Sequence, residues 1–154
     1  MIPALKVLIT ASMPIFELRG AIPLAIYLGL PPLLAYIISV LGNLLPIPFL
    51  LIFLDKIRSI ARKYEFTSGV LELFEKRALK NKEIIDKYGY FGLTLFVAIP
   101  LPVTGAWTGC LLSSLLYLEP KKALIYIALG VAIAGLVVLS STLGFLSLKD
   151  VFLP

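Results

Sequence analysis

Residues 14–23 read PIFELRGAIP and place two charged side chains, Glu17 and Arg19, between two prolines in an otherwise apolar region. The apolar run before this stretch, residues 3–13, and the run after it, which ends at Gly29, are each shorter than the roughly 20 residues that span a bilayer. Two short helices around such a break are typical of a re-entrant hairpin, whose irregular backbone is packed inside protein. A kinked full-length span is the alternative that the pattern leaves open.

A second stretch of the same kind, residues 99–109, reads IPLPVTGAWTG and separates short apolar runs that cover residues 88–99 and end at Leu118. It carries no charge. The sequence therefore predicts a second broken hairpin. The residues that we expect to break the two hairpins are Pro14, Gly20, Pro23, Pro100, Pro102, Gly105 and Gly109.

Two apolar stretches, residues 33–54 and 123–148, are long enough to cross a bilayer without interruption. Pro46 and Pro48 near the end of the first predict a bend there. Each half of the chain thus predicts a hairpin followed by one spanning helix. Because a hairpin returns to its starting side and a span crosses, the second copy is inverted relative to the first, as in many transporters.

The predicted fold class is an all-α integral membrane protein in which a single membrane domain covers residues 1–154. Residues 1–54 form the first repeat, residues 88–154 form the second, and residues 55–87 form an amphipathic helical segment that joins them. The composition agrees with this, since 60% of the residues are hydrophobic and 15% are charged, whereas a soluble domain carries about 25% charged residues.

The joining segment holds 15 of the charged residues of the chain. Ile57, Ile60 and Tyr64 fall on one helix face, and residues 67–69, Thr-Ser-Gly, predict a break after which Ser68 caps a second helix. Such helices can lie on the anionic inner leaflet. A solvated linker that covers the bundle is the alternative.

The basic residues predict the orientation of the chain in the cytoplasmic membrane. Of the 14 lysines and arginines, 11 fall in residues 55–87 or at residues 121 and 122, which the hairpin topology places on one face. Loops rich in lysine and arginine are cytoplasmic. We therefore expect a multi-pass protein with a cytoplasmic 55–87 segment and both termini extracytoplasmic. The same reasoning explains the net charge of +5 without a nucleic-acid partner.

Glu17 and Arg19 are the main candidate site residues, because ionisable groups inside a membrane are costly and mark function. Glu17 can take up and release a proton, whereas Arg19 stays charged and can bind an anion. A structural ion pair that holds the hairpin closed is the alternative. In the second break, Thr104, Trp107 and Thr108 are candidate substrate or anion contacts near a helix N-terminus.

Other polar residues receive structural interpretations. Trp107 could instead anchor the chain at the membrane interface, and Asn43, Ser113 and Ser114 are interpreted as hydrogen-bond partners between helices. The sequence has no histidine, and Cys110 is its only cysteine. We therefore expect no metal site and no cofactor.

These strings resemble the small multidrug export protein family, whose hallmarks are similar to residues 17–23, ELRGAIP, and residues 99–109 here. The similarity covers nearly the whole chain. That family in turn resembles the DedA-like, or VTT, superfamily of lipid transporters and scramblases. The resemblance implies two re-entrant hairpins, functional roles for Glu17 and Arg19, and proton coupling. The chain departs from DedA proteins in lacking acidic and arginine residues in its second hairpin.

The sequence therefore predicts a transporter, proton-coupled through Glu17, that moves a membrane lipid or a small amphipathic molecule. A structural or assembly factor for membrane proteins is the alternative, although it leaves Glu17 and Arg19 unexplained. An intramembrane lipid enzyme is disfavoured, because the chain has neither a histidine base nor a Gly-x-Ser-x-Gly motif. We also expect a homo-oligomer, a dimer, because two spans and two hairpins are few elements to enclose a path.

Overall fold

The computed structural model describes residues 2–80, 82–100 and 104–152. Within these ranges the chain forms nine α-helices connected by turns. In chain order they are α1 (Ile2–Ser12), α2 (Glu17–Tyr27), α3 (Pro32–Leu44), α4 (Ile47–Ala61), α5 (Glu65–Lys80), α6 (Lys82–Tyr88), α7 (Tyr90–Ala98), α8 (Ala106–Leu115) and α9 (Pro120–Phe152).

Two stretches are long and apolar enough to cross a membrane, Pro32–Leu54 and Pro120–Ser147. They correspond to the two spans that the sequence predicts. The first comprises α3 and the beginning of α4, which are separated at Leu45 and Pro46. The prolines explain this interruption, because Pro46 has no N–H with which to continue the hydrogen bonds of α3. The predicted bend is thus seen as a break between two helices.

Each of the two candidate spans packs closely against a short helix, α3 against α1 and α9 against α7. A glycine makes each contact possible, because a side-chain carbon at either position would collide with the facing helix. A Cβ at Gly42 would lie 2.7 Å from the Leu8 carbonyl oxygen and 2.8 Å from the Ala11 Cβ. A Cβ at Gly130 would lie 2.7 Å from the Val97 Cβ and 2.9 Å from the Thr94 carbonyl oxygen. Small residues at helix contacts let backbones approach in this way.

The turn from α2 into α3 and the turn from α8 into α9 have the same backbone hydrogen bonds. Both close the helix end with the crossed pair of a Schellman motif around a residue of positive φ, Gly29 (80°) and Tyr117 (54°). After α2, the Gly29 N–H donates to the Ile26 carbonyl and the Leu30 N–H donates to the Ala25 carbonyl. After α8, 88 residues later, the Tyr117 N–H donates to the Ser114 carbonyl and the Leu118 N–H donates to the Ser113 carbonyl. Pro32 and Pro120 then begin the two long helices at the same spacing.

The polar segment is helical, as predicted, but its break lies elsewhere. Residues 67–69 lie inside α5, and α4 ends before residues 62–64 instead. Ser68 does not cap a helix, because its N–H donates to the Tyr64 carbonyl within the first turn of α5. Arg58 Nε donates to Glu75 Oε1 at 2.9 Å and joins α4 to α5. The prediction failed because Thr-Ser-Gly is a weak breaker that a helix tolerates at a modest cost.

The segment also packs against the rest of the bundle, α5 against α8 and α6 against α7. Ala78 of α5 and Ile85 of α6 are buried in the same apolar core as Leu93 and Leu112. Of the two interpretations from the sequence, a segment that covers the bundle agrees better with this packing than one that only lies on lipid.

Three of the residues expected to break the hairpins, Gly20, Pro23 and Gly109, lie inside helices. The first break covers residues 13–16, including Pro14, and Gly20 and Pro23 follow within α2. Pro23 is accommodated because its missing N–H leaves only the Arg19 carbonyl without a helical donor.

In the second break, Pro100 and Gly105 lie between α7 and α8, whereas Pro102 lies outside the described residues. Gly109 lies within α8. It marks close packing instead of a break, because a side-chain carbon there would lie 2.7 Å from Val97 Cγ2.

Candidate functional site

The carboxylate of Glu17, the residue that follows the first break, lies at the N-terminus of α8, the helix that follows the second break. The backbone N–H of Trp107 donates to Glu17 Oε1 at 3.3 Å, and the N–H of Ala106 also donates to this carboxylate. The side chain of Glu17 is 7% exposed. Glu17, the first residue of α2, therefore caps α8 with its side chain. The residue it bonds in α8, Trp107, lies 90 residues further along the chain.

The chemistry of a helix end explains why a carboxylate is bound here. The first backbone N–H groups of α8 have no partner within the helix, and their dipoles favour negative charge. The residue before α8 is Gly105, which has no side chain with which to cap them. Glu17 supplies the missing acceptor and charge from α2, so the two breaks form one site.

Gly105 permits this approach. A side-chain carbon built on Gly105 would overlap the Glu17 carboxylate, and Gly105 has φ +145°. This conformation is strained for any residue with a side chain. Glu17 is itself in the left-handed region, with φ 46°, which costs about 1–2 kcal/mol. Such strain is retained where the surrounding contacts require it.

Arg19 lies beside this contact and is less deeply buried. Its Nη2 donates to Thr104 Oγ1 at 3.3 Å and lies 3.9 Å from Glu17 Oε2, with 24% of the side chain exposed. Thr104 also donates to the Ile99 carbonyl at 2.6 Å. The guanidinium thus lies within reach of residues beside both breaks, and part of the Arg19 side chain remains exposed.

The structure brings together four of the candidates from the sequence, Glu17, Arg19, Thr104 and Trp107. Thr108 follows in the first turn of α8 and is buried, and among the described residues it makes no hydrogen bond to Glu17 or Arg19. Trp107 is half-buried beside the apolar core, and its indole Nε1 has no hydrogen-bond partner among the described residues.

Asn43 of α3 belongs to the same site, although the sequence gave it a different role. It borders the narrow space around Glu17 and Arg19, together with Val97, Val131 and Ala134. Asn43 is 1% exposed, and neither its Oδ1 nor its Nδ2 has a partner among the described residues. Its interpretation as a hydrogen-bond partner between helices is therefore wrong for this part of the structure.

The corresponding interpretation of Ser113 is also wrong, because its hydroxyl donates to carbonyls of its own helix, with the Gly109 oxygen at 2.6 Å. What sets Asn43 apart in the sequence is that it is an amide within a long apolar span, where polar groups are expensive. That signal alone could have placed it in the site.

A groove of about 420 Å³ lies between the C-terminal half of α2 and the C-terminal half of α9. It is lined by Pro23, Ile26, Tyr27, Ser141, Thr142, Phe145 and Leu146. Arg19 precedes Pro23 by four residues and so lies on the same face of α2, one turn nearer to the contact with α8. The groove is mostly apolar, and Arg19 lies one helical turn beyond Pro23, which lines it.

No group of three or more histidine, cysteine, aspartate or glutamate side chains that could hold a metal ion occurs in the described ranges. Glu17 is the one acidic side chain that borders the narrow space among the described residues.

Comparison with known proteins identifies a family to which most of the chain is similar. Residues 17–137 match the family described as small multi-drug export protein, whereas no curated protein and no solved structure matches the chain. The matched range begins at Glu17, includes both breaks and ends within α9. The export name indicates a transporter instead of an enzyme, and together with the two candidate spans it indicates a membrane location. Because the match covers most of its length, the chain belongs to the small multi-drug export protein family.

Proposed function

We propose that this protein is a proton-coupled transporter of a lipid or a small amphipathic molecule, in which Glu17 is the proton carrier. One observation carries the proposal: the buried carboxylate of Glu17, beside the first break, accepts hydrogen bonds from the backbone N–H groups that begin α8, beside the second break. This contact depends on the charge of Glu17. Protonation therefore weakens it, and a proton can control whether the two breaks stay together.

Separation of the breaks exposes an anion-binding surface. When Glu17 leaves, the N–H groups of Ala106 and Trp107 become available at the N-terminus of a helix, where anions bind. Arg19 already lies within reach of both breaks. An anionic group of a substrate can then replace the carboxylate, so that binding of substrate and protonation of Glu17 favour each other.

The groove between α2 and α9 supports an amphipathic substrate. Its volume of about 420 Å³ falls within the range of sites for small molecules, about 300–1,000 Å³. Its walls suit an acyl chain or an aromatic ring, while Arg19, one turn away, suits a negative head group. A fully polar solute would gain little from these walls.

The inverted repeat of re-entrant hairpins forms part of the proposal. It is supported by the Schellman turns and by the prolines that begin α3 and α9, all at a spacing of 88 residues, and by the equivalent roles of Gly42 and Gly130. The same spacing relates Glu17 to Gly105 and Asn43 to Val131, and all four border the site. A site between two inverted halves is common among transporters that work by alternating access.

We further propose the orientation that the basic residues predict, with residues 55–87 cytoplasmic and both termini extracytoplasmic. Single cysteines at Glu72 and Lys6, each in a Cys110→Ala background, test it with a thiol reagent that does not cross membranes. The cysteine at position 72 should react only from the cytoplasmic side and the cysteine at position 6 only from outside. The opposite pattern would reverse the orientation.

A dimer is the remaining element of the proposal, since closed two-fold symmetry is the usual way in which small chains assemble. Native mass spectrometry from nanodiscs measures the assembly directly. A monomeric mass with full transport activity would contradict it.

Glu17→Gln tests the proton-carrier role. Glutamine keeps the shape and accepts a hydrogen bond but does not titrate. Because the neutral side chain caps α8 less well, we expect the free energy of unfolding to fall by no more than about 0.5–2 kcal/mol, while translocation of a fluorescent phosphatidylglycerol in liposomes no longer responds to a pH gradient.

Glu119→Gln is the matched control, because it removes a half-exposed carboxylate that pairs with Lys122 outside the site. It should leave gradient-driven translocation unchanged. Gradient-driven translocation by Glu17→Gln at the wild-type rate would falsify the role of Glu17. A loss of about 3–5 kcal/mol in the free energy of unfolding, together with loss of transport, would favour a structural ion pair, because a buried charge left without its partner is strongly destabilising.

A further inference from the structure

Ser39 and Asn43 lie four residues apart on one face of α3 and are both buried, with exposed fractions of 0% and 1%. The Ser39 hydroxyl and both polar atoms of the Asn43 amide have no hydrogen-bond partner among the described residues. Tyr36 continues this face by one further turn, and its hydroxyl donates to the Ala132 carbonyl of α9 at 3.1 Å. We call Tyr36, Ser39 and Asn43 the α3 polar face.

The two unpartnered residues do not stabilise the packing seen here. A buried hydroxyl or amide without a hydrogen bond opposes folding, and leucine or alanine at these positions would fill similar space without that cost. Buried polar groups that lack partners in one conformation require an explanation outside it. The simplest is a second conformation in which they are solvated.

The position of the α3 polar face indicates what solvates it. Asn43 borders the space around Glu17, and the described residues that line this space leave no room for a water molecule. From Asn43 the face rises toward the N-terminal end of α3, which residues 28–31 connect to the C-terminal end of α2. The groove between α2 and α9 lies at that same end.

We propose that the α3 polar face binds a chain of water molecules that carries protons between Glu17 and the end of the molecule formed by residues 28–31. The chain fills when Glu17 leaves the N-terminus of α8 and space opens beside Asn43. The inference rests on the proposed function, since it supplies the route by which Glu17 exchanges its proton. The Asn43 amide and the Ser39 hydroxyl each donate and accept hydrogen bonds, as a water chain requires.

The surroundings of Glu17 leave this route to water. The groups that face it among the described residues are Arg19 of its own helix, Cys110 and the backbone of α8, Asn43 of α3, Val97 of α7, and Val131 and Ala134 of α9. Arg19 stays protonated, and Cys110 is a buried thiol of the kind that stays chemically inert. No second carboxylate among these residues can relay the proton, so ordered water beside Asn43 takes that role.

Thiol accessibility tests hydration without any substrate. Single cysteines are placed at Ser39 and Asn43 in a Cys110→Ala background and treated with a water-soluble methanethiosulfonate at one fixed pH, with and without Glu17→Gln. We expect Glu17→Gln to raise both reaction rates at least about tenfold, since the neutral side chain releases α8. Ser113→Cys is the control, because Ser113 is equally buried but lies on α8 outside the polar face, and its rate should stay at background.

Transport gives the second test. Asn43→Leu removes the amide while keeping the volume, and Ser39→Ala removes the hydroxyl. We expect thermal stability at or above that of the wild type, because no hydrogen bond seen here is lost, together with a fall of at least about tenfold in gradient-driven translocation of fluorescent phosphatidylglycerol. Ser113→Ala should leave translocation unchanged.

The outcomes separate the two proposals. Wild-type translocation in Asn43→Leu and Ser39→Ala, or cysteines at positions 39 and 43 that stay as unreactive as the one at position 113, would overturn the water chain and leave the role of Glu17 intact. A loss of stability in Asn43→Leu would overturn it as well, since it would show that the amide has a structural partner. Wild-type translocation in Glu17→Gln overturns the proposed function instead.

Discussion

The two breaks of this chain contribute complementary chemical groups to one site, a carboxylate and backbone N–H groups. The first, residues 13–16, leads directly into Glu17 and Arg19, so that α2 begins with charged side chains. The second ends at Gly105, and α8 presents bare backbone N–H groups. One break thus leads to a negatively charged side chain and the other to a helix N-terminus whose dipole attracts it. In the proposed mechanism, protonation of this single carboxylate makes the contact reversible.

The difference also shows why the breaks are not copies of each other. Glu17 and Gly105 are 88 residues apart, the spacing that relates the turns after α2 and α8. Glu17 has a long acidic side chain, whereas the equivalent residue, Gly105, has no side chain. The Glu17 carboxylate occupies the volume that a side chain at Gly105 would fill. Two glutamates here would bring like charges together, which disfavours the charged form of both. Complementary breaks avoid that repulsion.

The strongest way to disrupt this complementarity is Gly105→Ala. The new Cβ overlaps the Glu17 carboxylate and is strained at φ +145°, so we expect the free energy of unfolding to fall by about 2–4 kcal/mol. Denaturation by SDS in mixed micelles measures the change. Gly144→Ala is the control, because a Cβ there meets nothing within 4 Å, and it should change stability by less than about 1 kcal/mol. Equal effects of the two substitutions would show that the breaks do not meet as described.

A double-mutant cycle sharpens the same comparison. Glu17→Ala alone removes the acceptor for the α8 amides and should cost about 0.5–2 kcal/mol, as the loss of a helix cap does. In Glu17→Ala/Gly105→Ala the collision is absent, so the combined cost should be about 1–2 kcal/mol smaller than the sum of the single costs. Strict additivity would contradict direct contact between the two positions.

Arg19→Lys tests the charge that accompanies Glu17. The guanidinium contacts Thr104 and lies near Glu17 at once, a geometry that a flexible ammonium does not reproduce. We expect the amount of anionic lipid needed for half-maximal translocation to rise about tenfold, with stability changed by less than about 1 kcal/mol. A zwitterionic lipid of the same acyl chains is the comparison. Equal losses for both lipids would argue against an anion-binding role.

The smallest expected effects concern the ends of the two short helices. Tyr117 adopts the positive φ that Gly29 adopts 88 residues earlier, so Tyr117→Gly should stabilise the protein by about 1 kcal/mol and Gly29→Ala should destabilise it by a similar amount. Thermal unfolding of both variants measures this. Changes of the same sign would mean that the two turns are not equivalent.

The location of the candidate site could be predicted from the sequence, because charges and prolines inside apolar runs are rare and conspicuous. Glu17, Arg19, Thr104 and Trp107 were candidates from the sequence, and the structure brings them together beside the two breaks. Their functional roles remain part of the proposal. The partners of Glu17 could not be predicted, since its acceptor atoms meet backbone amides, which are the same in every sequence. Only the fold decides which helix end a carboxylate reaches.

Details that depend on packing could not be predicted from the sequence either. Gly20, Pro23 and Gly109 were expected to interrupt helices, but a helix tolerates a single glycine at a cost of about 1 kcal/mol, and it tolerates this proline at the loss of one hydrogen bond. Asn43 looked like a bridge between helices, and the described residues offer it no partner. Whether a polar group finds a partner depends on distances of a few tenths of an ångström.

The glycines at positions 42 and 130 have a mechanical consequence. With no side chain between the helices, α1 is clamped to α3 and α7 to α9 almost backbone to backbone, and such joints resist sliding more than looser ones do. Neither α2 nor α8 has a glycine that brings the backbone of a facing helix this close, so in the proposed transport cycle the opening movement falls to these two short helices. It would begin at the contact between Glu17 and Gly105, which would then act as the latch of the transporter.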